Sequence, residues 1–524
     1  MKPNLNKKDF LDIVGSGGIP PLYIEIPYAE PFAVYESLGC GPNTILLESV
    51  KGHYKIARYS FVAFDPYLVF RAKNGEVKIE LRVESQESRA KKQKNSKLQT
   101  LNSMFSSVSF RNPLDRLKEL VTAYPQKSEQ ELPPFQGGAI GLLSYDFVRY
   151  IENIPMKAVD DLNIPDAHFL LVDRVIAFDH QEQKAWAILS PGARHMELGY
   201  RDISDIDWEA AYDEASEIVL KFGSSEVWKF KDQKSLSVKT SELPHFCSSK
   251  LNYEMSKEQY MDIVKKTKEY IAAGDIFQAN LSQRISADIG DKKPWEIYKV
   301  LRSINPSPFA AYADFGGYQI ASSSPERLIR VKDGIIETRP IAGTRPRGGT
   351  LREDELMRAE LLLNEKERAE HIMLIDLERN DIGRVAEYGS VVTDELMITE
   401  DYSHVIHIVS NVRGIMEKDK TCFDAIKAAF PGGTITGVPK VRCMEIIDEL
   451  EPTARGPYTG SLGYIGFSGS LDLNIIIRTF VVKDGFAYVQ AGAGIVADSD
   501  PEREYYETLK KAEALIRTLE TVGG

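Results

Sequence analysis

The sequence predicts a soluble globular chain that mixes β-strands and α-helices in both of its halves. Three observations carry that prediction. Short β-branched or apolar runs are bounded by turn residues, as strands are. Stretches of helical spacing begin on capping side chains and end on glycine or on basic residues. Two apolar runs flank Lys483-Asp484-Gly485, the pattern of a hairpin. The 524 residues exceed one ordinary core, so two or more units, or one large composite unit, are expected.

Residues 170–178 and 184–189 read as strands. Residues 207–221 read as a helix, acidic at its start and with lysine near its end, matching the helix dipole. Residues 256–273 read as a helix with Ser256 as cap, Glu258 near it and Gly274 as stop. Residues 352–376 form one long helical pattern, and 503–519 a terminal amphipathic helix. Residues 475–482 and 486–491 read as the paired strands of the hairpin. Two polar stretches interrupt this order. Residues 84–103, with Lys91, Lys92 and Lys94, read as a solvated loop. Residues 223–250, rich in serine and lysine, read as a linker. The expected organisation is therefore an N-terminal unit, 1–222, and a C-terminal unit, 251–524. No repeat of 20–50 residues stands out, which argues against solenoids and propellers.

Composition narrows the function. A net charge of −12 argues against a nucleic-acid or anionic-membrane partner. Cys40, Cys247, Cys422 and Cys443 are scattered without a C-x-x-C pair, so neither a disulfide scaffold nor a zinc ribbon is expected. The N-terminus lacks an apolar signal core, and no run of about 18 uncharged apolar residues occurs. A reducing cytoplasm is the default expectation.

Four constellations carry chemistry. Glu367/Glu370 and Glu504/Glu507 are carboxylates at i and i+3, so each pair shares one helix face. Two such faces turned together would suit Mg²⁺, a hard cation that takes one or two carboxylates and keeps waters. A solvated helix face is the commoner meaning of the same spacing. Three glycine-rich segments, 340–344, 430–434 and 491–495, offer bare backbone N–H groups to an anion. Their spacing fits neither a P-loop nor a dinucleotide fingerprint, and ordinary turns explain any one of them. Arg478 lies in an apolar run, where its charge needs either a structural carboxylate or a substrate carboxylate. His407, inside Val405-Ile-His-Ile-Val409, is a core histidine unless acids lie near it.

Together these segments resemble the chorismate-utilising enzymes, most closely the anthranilate synthase large-subunit family. The likeness covers nearly the whole chain and is densest from 255 to 515. Its carriers include GDIFQANLSQR, ETRPIAGTRPRG, NEKERAEHIMLIDLERNDIGRV, FPGGTITGVPKVRCMEIIDELEP and VQAGAGIVADSDPEREYYETLKKAEAL. In the first half, ILLESVKGHYKIARYSFVAFDP looks like the family's tryptophan-binding segment, and LPPFQGGAIGLLSYDFVRYIE like its next signature.

The resemblance implies an α+β fold, a large antiparallel β-sandwich flanked by helices. It implies Glu370 and Glu507 as Mg²⁺ ligands, with Glu367 and Glu504 behind them. The substrate's enolpyruvyl carboxylate would meet Arg478, Tyr458 and the Gly492-Ala493-Gly494 backbone. Gly343, Thr344 and Thr434 would line the ring, and Lys511 would add positive charge near the metal. Glu326 matches the general acid for loss of the C4 hydroxyl, and His407 the histidine of pyruvate elimination. Gln278 stands where water-activating relatives carry lysine, so ammonia is the implied nucleophile at C2. No glutaminase signature appears, which implies a separate glutamine amidotransferase subunit and a hetero-oligomer. Ser49, with Pro308, Phe309 and Ala310, would contact tryptophan as inhibitor.

The rival implication is 4-amino-4-deoxychorismate synthase component I. That family usually carries a nucleophilic lysine where this chain has Ala342, which favours anthranilate. The segments 278–283, 305–312 and 430–437 look more like the rival. Pro308-Phe309-Ala310 stands in place of the tryptophan enzyme's usual Pro-Tyr-Met, so tight feedback is not implied. A third reading keeps the fold as a non-catalytic chorismate or tryptophan sensor.

Overall fold

The computed structural model describes residues 2–39, 41–53, 55–81, 108–109, 112–195, 203–224, 251–401 and 405–523. The polar stretch 84–103 lies outside them, as does the predicted linker beyond residue 224. Among the described residues two antiparallel sheets of twelve strands each stack face to face. Helices cover both outer faces, the α+β sandwich that the sequence resemblance implied.

The first sheet begins with Leu22–Ile26, Lys184–Leu189, Arg174–Asp179, Tyr59–Ala63 and Thr44–Glu48. It continues through Phe309–Asp314, Gln319–Ser324, Thr479–Lys483, Phe486–Ile495, Gln278–Asp288 and Leu251–Tyr253, with Gly437–Val438 beside Gln278–Asp288. The second begins with Ile341–Pro346, Val405–Ile415, Ile335–Thr338, Arg327–Lys332, Leu471–Asn474 and Ser461–Gly466. It ends with Gly138–Leu143, Ala167–Val172, Leu68–Lys73, Glu76–Leu81 and Val108–Ser109, while Val392–Asp401 flanks Val405–Ile415. Both halves of the sequence thus supply one end of each sheet. They join where Ala310 pairs with Glu48 and where Gly463 pairs with Gly141.

Strand alternation explains the layers. Ile45, Phe61, Ala311 and Val481 point inward from the first sheet and meet Val69, Ile140, Leu170 and Tyr464 from the second. Their neighbours Leu46, Val62, Tyr312 and Phe480 point outward, against Tyr298, Leu515 and other helix residues. Strands buried on both faces read as continuous apolar runs rather than alternating ones. No helix of the described residues is long and apolar enough to cross a membrane.

Several predicted elements appear as read. Asp207 caps Trp208–Gly223, accepting from the Ala210 N–H at 3.1 Å. Lys184–Leu189 is a strand. Phe486–Ile495 folds back on Thr479–Lys483 across the expected turn. Lys257–Ala273 starts at Ser256 and stops at Gly274, whose φ of 84° is left-handed. The reciprocal cap there is Gln259, not Glu258.

Three runs divide where the sequence showed none. Residues 170–178 are two strands that cross from one sheet to the other at Asp173. That buried carboxylate is held by Arg174 at 3.1 Å and Arg194 at 2.6 Å. Residues 352–376 are two helices, Leu351–Leu363 and Glu365–Gly383, because Asn364 ends one and caps the next. Residues 475–482 are not one strand. The chain leaves the second sheet after Asn474, bends at Arg478 (φ 54°) and enters the first sheet at Thr479.

Candidate active site

The break at Asn364 sets up the first carboxylate pair. Asn364 Oδ1 accepts from the Glu367 N–H at 3.0 Å, which places Glu367 in the first turn of the new helix. Negative charge is favoured at that positive end of the helix dipole. Glu367 Oε1 accepts from Arg345 Nη1 at 2.6 Å, while its buried Oε2 has no partner. Glu370, one turn on, meets Gln278 Nε2 at 3.4 Å. Burial raises the Glu370 carboxyl above its ordinary range, opposed by Gln278 and by Lys511 and Lys366, and reinforced by Glu507.

The second pair arrives from the opposite layer. The helix Pro501–Gly523 packs on the strand Phe486–Ile495 and carries Glu504 and Glu507. Burial raises Glu504, with a hydrogen bond from Ser499 opposing it and Glu507 adding to it. Lys511 Nζ lies 2.8 Å from Glu507 Oε1 and 3.0 Å from the Gly492 carbonyl oxygen. It therefore ties the second pair to the glycine-rich strand. One helix from each sheet thus brings its carboxylates to a common cleft.

These residues fit a hard cation. Among the described residues no three His, Cys, Asp or Glu side chains form a closed cage. Mg²⁺ needs no such cage, since it takes one or two carboxylates and fills its octahedron with water and substrate oxygens. Glu370 and Glu507 would supply the two carboxylates and leave the remaining positions to water and substrate oxygens.

The floor is the Gly492-Ala493-Gly494 strand, and its glycines are required by contact. A Cβ on Gly494 would sit 2.5 Å from Gln278 Nε2. A Cβ on Gly492 would sit 2.4 Å from Asn280 Oδ1 and 2.9 Å from the Tyr458 hydroxyl. Gln278 and Asn280 share a strand face two residues apart. Gln278 Oε1, Asn280 Oδ1, Glu367 Oε2 and Thr434 Oγ1 are all buried without a hydrogen-bond partner. Buried polar atoms are nearly always satisfied, so a cluster of exceptions marks a place for a polar ligand.

The wall is a bulged strand. Ala342 pairs with Ile408 and Thr344 with His407, leaving Gly343 as the extra residue with φ 63°. A side chain there would also strike Glu367 Oε2, 2.3 Å from the ideal Cβ. His407 Nδ1 lies 3.1 Å from the Gly343 carbonyl oxygen and 3.0 Å from the Thr344 hydroxyl. A carbonyl only accepts, so Nδ1 carries the proton. Burial pushes His407 down to about 4, with Gly343 opposing and Arg478 adding, so the ring is neutral at pH 7.

Arg478 donates to the Lys511 carbonyl oxygen, and among the described residues no carboxylate pairs with it. Of the two partners open to it in sequence, the structural one is missing. Tyr458, 8% exposed, stands nearby. It is backed by Arg455 at 5.6 Å from its ring centre, and Arg455 is locked to Glu451 by bonds of 2.9 and 2.7 Å. Breaking so buried a pair typically costs about 3–5 kcal/mol, which fixes the Tyr458 wall.

Glu326 is 6% exposed. Burial pushes its carboxyl up to about 7, opposed by Thr434 and the Ile341 N–H. The Thr434 hydroxyl lies beside it without the geometry of a full hydrogen bond. The cleft therefore holds an acid at Glu326, a neutral imidazole at His407 and an unpaired guanidinium at Arg478.

Ser49, Pro308, Phe309 and Ala310 gather elsewhere, around a cavity of about 400 Å³ between the sheets. Ser49 Oγ reaches the Tyr59 and Pro308 carbonyl oxygens at 2.8 and 3.1 Å. Lys55, Arg58, Arg327, Arg330 and Lys332 also line it, together with Glu48 and Asp472, and Arg58, Arg327 and Arg330 are paired with Asp179, Asp472 and Glu337.

Three site residues escaped the sequence reading. Arg345 directly follows Thr344, yet only the fold shows that it clamps Glu367. Asn280 was findable, because it shares the strand face of Gln278 at period two. Glu451 carried no signal, since its partners Arg455 and Ser282 are distant or unremarkable in sequence.

The chorismate binding enzyme family model matches residues 43–517. The chain is 43% identical over 510 residues to anthranilate synthase component 1 of Acetivibrio thermocellus, covering 96% of each. It is also 43% identical over 484 residues to aminodeoxychorismate synthase component 1 of Bacillus subtilis (strain 168), covering 91% of each. A solved structure, anthranilate synthase component I from Streptococcus pneumoniae TIGR4, superposes with a TM-score of 0.69 at 34% identity, covering 88% of this chain and 92% of that one.

Proposed function

The chain belongs to the chorismate-binding enzyme family, and from that premise we propose that it converts chorismate and ammonia into anthranilate and pyruvate. Ala342 carries the choice of product. Its methyl group, 9% exposed, lies two residues before Thr344 on the strand Ile341–Pro346. It offers no amine to attack ring carbon C2, so ammonia itself adds there. Gln278 supports the same nucleophile, because a neutral amide cannot take a proton from water.

The proposed roles are as follows. Arg478 meets the enolpyruvyl carboxylate with its unpaired charge, bordered by Tyr458 and the Gly492–Gly494 backbone. Thr344 and Thr434 flank the ring. Glu326 gives its proton to the departing C4 hydroxyl. His407, neutral at pH 7, takes the proton released when the ring becomes aromatic and pyruvate leaves. Glu370 and Glu507 would hold Mg²⁺, backed by Glu367 and Glu504, and the ion would neutralise the ring carboxylate. Ammonia comes from a separate glutamine amidotransferase subunit, in line with the "component 1" in the relatives' names.

A second reading rests on a specific finding. The aminodeoxychorismate synthase relative is as similar as the anthranilate synthase relative. Purified chain with chorismate, Mg²⁺ and ammonium chloride separates them. Blue anthranilate fluorescence with equimolar pyruvate is expected. Aminodeoxychorismate without pyruvate would replace the first reading by the second.

Two variants probe the details. Ala342→Lys places an amine beside C2 and is expected to give a covalent adduct with chorismate, read as a mass increase of the intact protein; an unchanged mass counts against this placement of residue 342. Ser49→Ala removes the hydroxyl that ties the Tyr59 and Pro308 backbones. If tryptophan inhibits through that cavity, the inhibition constant is expected to rise about tenfold, the scale of one lost polar contact. Equal inhibition of both proteins would place the effector elsewhere.

A further inference from the structure

A general acid is spent once per turnover and must be refilled, and Glu326 is poorly placed to draw on bulk water. It is 6% exposed, beneath the Thr434 loop. Behind that loop lies a second buried carboxyl without an assigned task. Glu378, on the helix that carries Glu367 and Glu370, is 5% exposed. Its Oε1 would lie 3.6 Å from a Cβ on Gly433, the residue before Thr434. Glu326 and Glu378 thus approach the same two-residue stretch of loop.

The surroundings of Glu378 keep it protonated. One turn further along the helix, Asp381 is 2% exposed and bonded to Lys440. Lys440 Nζ also reaches the Ala429 carbonyl oxygen at 3.2 Å. The lysine charge is spent on Asp381, and Arg384 faces that same aspartate. The groups that face Glu378 are Asp381, Lys440, Glu326 and the Thr338 hydroxyl, so no cation is its own. Thr338 Oγ1 already gives its proton to the Leu328 carbonyl oxygen at 2.9 Å. Thr338 and Lys440 oppose the rise of the Glu378 carboxyl, and burial and Asp381 outweigh them. Burial, then the Asp381 charge, pushes Glu378 well above the usual carboxyl range, and above Glu326.

We propose that Glu378 is the proton reserve of Glu326: it passes its proton to the Glu326 carboxylate after Glu326 has protonated the leaving hydroxyl, and the Asp381–Lys440 pair keeps it loaded. This rests on the reading that the substrate loses its C4 hydroxyl to Glu326. The balance is as follows. The Glu326 proton bonds the C4 oxygen as the carbon–oxygen bond breaks, and water leaves with the bonding pair. The ammonia nitrogen forms its bond to the ring with its lone pair and then sheds one proton. The Glu378 O–H proton moves to Glu326, and the proton from nitrogen reloads Glu378 through water. One proton is taken up and one released, with no oxidant or reductant. Glu378 touches no substrate atom; it acts through Glu326, as a positioning residue.

The test is kcat against pH for wild type, Glu378→Gln and Asp381→Asn, with Mg²⁺, saturating chorismate and constant free ammonia. Glu378→Gln removes the reserve, so the alkaline limb is expected to move about one pH unit or more toward acid. KM for chorismate is expected to stay within about twofold. Asp381→Asn leaves the Lys440 charge beside Glu378, makes its ionisation easier, and is expected to move the limb the same way. A kcat lowered by one factor at every pH, or left unchanged, overturns the reserve. If Glu378→Gln does not fold, the limb of Asp381→Asn decides alone. A wild type that leaves chorismate untouched overturns the reaction beneath the proposal. A wild type that turns over while both variants keep its limb overturns only the proposal.

Discussion

Glu370→Gln is expected to lower kcat/KM by more than about a hundredfold, the upper end of what losing a group behind a metal ligand costs. The reason lies in what surrounds that carboxylate. Glu367 has Arg345 at 2.6 Å and Glu507 has Lys511 at 2.8 Å. Glu370 meets only the amide of Gln278, at 3.4 Å, and no ion pair involving it forms among the described residues. Its charge is therefore less compensated than that of Glu367 or Glu507 and more available to a cation. If Glu370 holds the proposed Mg²⁺, removing it takes a ligand, whereas Glu367→Gln mainly releases Arg345 and should cost less. Binding of Mn²⁺ as a stand-in, followed by electron paramagnetic resonance without substrate, reads the ligand role apart from activity. The variant should hold Mn²⁺ more weakly, and chelation of wild type should abolish turnover reversibly. Unchanged Mn²⁺ binding in Glu370→Gln would sink the assignment.

This asymmetry shows what the sequence could and could not say about the site. The i, i+3 spacing located both carboxylate pairs and the shared face of each. It could not distinguish them from a solvated face, because that depends on a second helix arriving from another sheet. The helix period also ran straight through Asn364, since an asparagine inside an amphipathic pattern disturbs neither face. Only its cap bond to Glu367 reveals the break that puts the first pair at a helix start. The same blindness hid the bend at Arg478. Ile475–Ile477 before it and Phe480–Val482 after it satisfy one strand pattern, yet the chain crosses between the sheets there. Apolar runs report burial, and in a sandwich flanked by helices burial continues through such crossings. Arg478 was legible as an anomaly for the opposite reason, because an unpaired charge in an apolar run has no cheap explanation. Glu378 and Glu451 left no such trace. Each sits in a run that also holds other charges, and only the fold shows which of them faces inward.

Glu326→Gln is the second change with a large expected effect, and its two signatures point in opposite directions. Loss of the acid should lower kcat by about 10²–10⁴, the usual worth of positioned proton transfer. The variant should still bind chorismate, because the amide keeps the shape of the acid while having no proton to give. Its stability should nevertheless depend on pH more favourably than that of wild type. The folded Glu326 carboxyl holds its proton up to about 7, against 4.5 for an ordinary glutamate, because burial disfavours its charge. Between those values the folded chain binds the proton and the unfolded chain does not. The slope of unfolding free energy with pH is then negative for this group, so wild type loses stability as pH rises through that window and regains none above it. Glutamine carries no such slope. The melting temperature of Glu326→Gln relative to wild type should therefore rise from pH 5 to pH 8 while its activity stays low throughout. A variant that is inactive with a constant melting difference would mean that Glu326 is already ionised in the folded chain. The carboxyl beside Thr434 would then be unable to protonate the leaving hydroxyl, and the acid of this site would have to be sought in another residue.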